Sequence, residues 1–150
     1  MRRSQTILAT GLLAGTLDIT AACLTTYILN GVMPQRVFLY IASAVFGPAA
    51  YKDGYGMMLA GLLFHYLIAF SCVIVFFYFY QRYRFFHRSI LLNSLLIGSI
   101  AWIVTNMMII PLTRIHQPAF QFIPVLRAVV ILIICIGLPS ALMAKKYLTK

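Results

Sequence analysis

The whole chain carries two acidic residues, Asp18 and Asp53, and Asp18 lies inside a long apolar run. A carboxyl facing lipid is costly, so Asp18 must face protein or a cavity. His65 lies in a second apolar run, Asn106 in a third and Arg127 in a fourth. An acid beside an imidazole can share a proton, hold a ligand or tie two helices together, and an amide and a guanidinium add donors. Asp18, His65, Asn106 and Arg127 are therefore the candidate intramembrane polar network. One reading makes it structural, with Asp18 and His65 holding two helices in register and Arg127 snorkelling to lipid phosphates. The other makes it a proton, ion or ligand site. Metal or haem ligation is a third possibility, but His65 and His116 share no ligand spacing, so no metal site is assigned. Cys23, Cys72 and Cys135 form no CxxC pair and read as small buried apolar residues. Neither a nucleophile elbow nor a phosphate-cradling glycine loop is visible, so no catalytic residue and no cofactor is assigned.

The elements that must position these residues follow from composition. Apolar residues make up 63% of the 150-residue chain and charged residues 9%, too few to coat a water-facing surface. The length suits one domain. Continuous apolar runs without period-two alternation predict four transmembrane helices over residues 7–29, 55–80, 89–111 and 122–144. The expected fold class is all-α, an integral membrane antiparallel four-helix bundle. The first run is long enough to span and lacks a convincing cleavage site, so it is read as a helix rather than a signal peptide.

Net charge is +10, from twelve Lys and Arg against the two acids. The basic residues sit mostly at the ends of apolar runs, which points to topology signals and away from nucleic acid. Arg2, Arg3, Arg82, Arg84, Arg88, Lys145, Lys146 and Lys150 fall on one side; Arg36, Lys52, Arg114 and Arg127 fall on the other. The bias places both termini in the cytoplasm.

Residues 34–46 form the oddest stretch. Pro34 can open a helix and Gly47-Pro48 would stop it. Roughly twelve helical residues reach only ~18 Å, too short to span. The expectation is a short outer helix, either an interfacial anchor or a re-entrant lid over the bundle mouth. Lys52 and Asp53 then make an outer-face turn into the second span.

Small residues recur on one face of each span: Gly11, Gly15, Asp18, Ala22 and Thr25 in the first, and Gly61, His65, Ala69 and Cys72 in the second. Ser94, Gly98, Ala101 and Thr105 continue the pattern in the third, and Gly137 and Ala141 in the fourth, where Pro139 should bend the helix. Gly11, Gly15, Gly61 and Gly98 are the expected helix-packing positions. Helical rise puts Asp18 about 16 Å from Ile7 and His65 about 15 Å from Tyr55, so both fall near the midplane. Asn106 and Arg127 lie ~8 Å below the outer ends of their spans.

The runs Gly11-Leu-Leu-Ala-Gly-Thr-Leu-Asp18, Ile41-Ala-Ser-Ala-Val-Phe-Gly47, Gly61-Leu-Leu-Phe-His65 and Trp102 to Pro111 resemble the YagU-like family of uncharacterised small bacterial inner-membrane proteins. The likeness runs from about Thr10 to Pro139. It implies a four-helix bacterial membrane protein and no particular reaction. Three functions then compete. The first is a non-enzymatic accessory or assembly partner, working in the bilayer as a homo-oligomer or with another membrane protein. The second is an oligomeric transporter or channel using the Asp/His network. The third is an enzyme acting on a lipid or quinone.

Overall fold

The computed structural model describes residues 3–52, 54–113 and 121–148. Asp53, Arg114, His116 and Gln117 lie outside the described residues, as do Arg2 and Lys150. Helices account for the architecture, and the described residues include no strand. Helix α1 spans Arg3–Asn30 and a short α2 spans Pro34–Phe46. Helices α3, α4 and α5 span Gly54–Arg82, Ile90–Leu112 and Phe122–Leu148. The four long helices α1, α3, α4 and α5 are each long and apolar enough to cross a membrane. The chain is an all-α four-helix membrane bundle carrying one additional short helix.

Local signals set the helix ends. At Gly31 the backbone turns to φ 64°, while its N–H still reaches the Tyr27 carbonyl at 2.9 Å. Only a residue without a β-carbon adopts that conformation cheaply, so α1 stops there. Pro34 opens α2, and Gly47 at φ 63° closes it before a 3-10 turn over Gly47–Tyr51. Ser89 caps α4 by accepting the Leu92 N–H at 3.3 Å.

The long helices pack in the order α3, α1, α5, α4 around the bundle; α3 and α4, though consecutive in sequence, meet sparsely. With lipid on the outside, helix association relies on close packing rather than on escape from water, so glycines decide where backbones meet. Gly11 seats the Phe70 ring, and a β-carbon on Gly15 would stand 2.8 Å from the Tyr66 ring. These two contacts join α1 to α3. Gly98 lies on the Ile133 backbone and Gly137 on the Ser94 carbonyl, which joins α4 to α5. Gly61 is a helix-packing position as well, but its neighbour is the short α2 rather than another span. It seats the Phe38 carbonyl of α2, because the short helix lies directly across α3.

That crossing also locates α2. Phe38 meets α3 at Gly61, and the Phe46 ring stacks on Phe64 with centroids 6.1 Å apart. Those positions are about 10 and 15 Å from the start of α3. The helix is therefore lodged obliquely against the N-terminal half of α3. The other half of the bundle is filled by Val73, Phe76, Phe77, Tyr80, Ile97, Ile136, Ala141 and Ala144.

Two helices contain π turns, at Val104–Ile109 in α4 and Ile133–Gly137 in α5. The second ends two residues before Pro139. Proline has no N–H for the preceding turn, and the wider π winding rearranges the carbonyls it leaves. Both termini of the described chain emerge at the end of the bundle where α3 gives way to α4.

Candidate functional site

At position 15 α1 has no side chain, which lets α3 approach closely enough for His65 to reach the α1 backbone. Its Nε2 donates to the Gly15 carbonyl at 2.9 Å. A carbonyl only accepts, so this bond places a hydrogen on Nε2 and turns Nδ1 toward the bundle. There Nδ1 stands 4.0 Å from Asp18 Oδ2. The two side chains retain 11% and 16% of their exposure, so each is mostly withdrawn from its surroundings. The separation suits an ion pair and is too long for a direct hydrogen bond.

Proton counting constrains what this pair can be. With Nε2 protonated, a neutral His65 offers a bare Nδ1 to a protonated Asp18. A charged His65 instead faces an ionised Asp18. Both arrangements have zero net charge and differ by one proton between the partners. A neutral assembly is the inexpensive way to keep an acid at this depth.

Neighbouring groups complete the site. The Tyr66 hydroxyl shares a 2.7 Å hydrogen bond with Thr16 Oγ1, one residue along each helix from the His65–Gly15 contact. The Tyr66 ring meets the His65 ring edge-on, with centroids 5.6 Å apart. The Ile133–Gly137 segment of α5 also packs against α1. Among the described residues no three His, Cys, Asp or Glu side chains group closely enough to hold a metal ion.

The structure joins Asp18 to His65 and leaves the other two members of the expected network elsewhere. Asn106 lies on the π turn of α4 and donates to the Trp102 carbonyl of its own helix at 3.1 Å. Arg127 is half-buried on α5 and forms no ion pair among the described residues. Lys52 is exposed at the C-terminal end of the 3-10 turn, and its N–H bonds the Ala49 carbonyl at 3.0 Å. Thr16 and Tyr66 belong to no chemical motif in the sequence. Their adjacency to Gly15 and His65 is the signal that pairs them.

A second concavity, mostly apolar but with Arg36 at its wall, lies where α2 leaves α1. It measures about 450 Å³ and is lined by Thr26, Val32, Arg36, Val37, Tyr40 and Tyr51. Burial, and then the neighbouring Tyr51 phenol, hold Tyr40 above the ordinary phenol range, so it stays a neutral hydrogen-bond donor.

The chain matches no family model, no curated protein and no solved structure at a significant level.

Proposed function

We propose that this chain is a non-enzymatic multi-pass protein of a bacterial inner membrane and an accessory or assembly partner of a larger membrane complex. The observation that carries this reading is the bond from His65 Nε2 to the Gly15 carbonyl. It commits the histidine to holding α1 against α3, and the Asp18 carboxyl then balances its charge from within the same crossing. Such a core makes a stiff small scaffold. Its outward faces offer side chains such as Leu8, Leu59, Leu63 and Leu91 to neighbouring lipid or protein.

Extraction from native membranes in a mild detergent is expected to give a complex larger than one chain. A strictly monomeric, partner-free protein would count decisively against the accessory role. A transporter or channel is the second reading, favoured by an intramembrane carboxyl facing an imidazole across 4.0 Å. Asp18→Asn separates the two. A scaffold loses abundance, and any cellular phenotype follows that loss. A relay keeps its abundance and loses activity, including proton or ion flux in liposomes.

The charge bias supports an orientation with both termini cytoplasmic. Reporter fusions after Gln81 and Gln117 are expected to report cytoplasm and outside respectively. The reverse pattern would invert the topology.

A further inference from the structure

The sparse meeting of α3 and α4 leaves a lateral groove of about 230 Å³ between them. Ser71, Cys72, Val75, Phe76 and Phe79 line it from α3, and Leu96, Ile97, Ile100, Ala101 and Val104 from α4. Its accessible lining is apolar throughout, because Ser71 Oγ turns back to the Leu67 carbonyl at 2.7 Å. Water gains nothing in such a space, and a hydrocarbon chain fits it.

One end of the groove is different. Phe86, in the turn between the helices, closes it. Arg82 lies one helical turn beyond Phe79 on the same face of α3, and Arg84 and Arg88 flank Phe86 in sequence. All three arginines are exposed. The turn that carries them is built rather than loose. His87 Nε2 donates to the Tyr80 carbonyl at 2.9 Å, and Asn93 Nδ2 donates to the Phe86 carbonyl. Phe76 packs edge-on against both Tyr80 and Phe86. From Arg82 back to Ser71 the helix rises ~16 Å, close to the half-thickness of the hydrocarbon layer.

We infer that this groove holds one acyl chain of an anionic phospholipid, with the lipid phosphate on Arg82, Arg84 and Arg88. Charge complementarity selects the headgroup: guanidinium groups bind phosphate oxygens in pairs, and three of them favour a lipid that keeps net negative charge. The apolar slot takes the chain directly beneath. The inference stands independently of the accessory role, since a partnerless protein could hold the lipid equally well.

The test is native mass spectrometry of the full chain after exchange into detergent with defined amounts of phosphatidylglycerol or phosphatidylcholine. One phosphatidylglycerol is expected to remain per chain under conditions that strip phosphatidylcholine. The triple variant Arg82→Gln, Arg84→Gln, Arg88→Gln alters exposed side chains only. It is expected to weaken retention about a hundredfold, at roughly fivefold per arginine. Val75→Trp fills the groove from a side chain that is 54% exposed, so the fold has room for it. It should remove retention while leaving the arginines intact. Equal retention of both lipids, or retention indifferent to both variants, overturns the inference. A dimer abolished by Val75→Trp and indifferent to phosphatidylglycerol overturns it too, by assigning the groove to a second copy of the chain.

Discussion

Gly98→Leu is expected to stop the bundle from closing, with little or no monodisperse protein recovered in detergent. A β-carbon at position 98 would stand 2.5 Å from the Ile133 Cα, so the obstacle is backbone that has no rotamer to escape into. Even Gly98→Ala must push α4 and α5 apart, at a cost of about 1–3 kcal/mol, and a leucine multiplies the overlap. The partner surface makes the cost differ among the glycines. At Gly15 the obstacle is the Tyr66 ring, which can swing at the expense of its bond to Thr16. Gly15→Leu should therefore yield folded but weakened protein, still clearly worse than Leu12→Ala, whose side chain is 48% exposed toward the lipid. Yield and unfolding in mixed micelles measure the series. Unchanged stability of Gly98→Ala would mean that α4 and α5 do not approach as closely as described.

The Asp18–His65 pair is expected to show non-additive losses. His65→Gln removes the bond to the Gly15 carbonyl and the partner of Asp18 together. Asp18→Asn removes only the charge and leaves a neutral amide that lipid tolerates better than a carboxylate. The double variant should lose less than the sum of the singles, with a coupling on the order of 0.5–1.5 kcal/mol in a double-mutant cycle. Intramembrane polar contacts average only ~0.6 kcal/mol, so a larger coupling would reflect the charge that one partner leaves uncompensated. Strict additivity would show the two side chains to be independent despite their 4.0 Å separation.

Much of the fold is legible in the sequence because lipid imposes simple rules. Four unbroken apolar runs have few alternatives to four spanning helices, and Pro34 and Gly47 punctuate the short helix between the first two. Rise per residue alone brings Asp18 and His65 to one level. Pairing of faces is harder to read. A small residue says that something approaches closely, and not what. Gly61 carries the same signature as Gly15, yet one meets a short helix through its backbone and the other a spanning helix through an aromatic ring. The π turns are a second obscured feature. An ideal 3.6-residue winding does not hold through Asn106, and the wider winding of Val104–Ile109 alters which direction that amide takes. Its bond to Trp102 within the same helix follows from that local winding rather than from depth. The gap between α3 and α4 is likewise invisible in periodicity, since it depends on the order of all four helices around the bundle.

The seats on α1 have a consequence of their own. Gly11 and Gly15 are four residues apart, and so are the rings they receive, Phe70 and Tyr66. A displacement of α1 by one turn, ~5.4 Å, would still set an aromatic ring on a glycine. Shape alone thus behaves like a vernier with repeated marks and cannot tell one notch from the next. Asp18 occurs once on α1 and His65 once on α3, so their meeting is the unrepeated mark that fixes the scale. A contact worth only on the order of 1 kcal/mol can in this way decide between alignments that packing would rate as near equals.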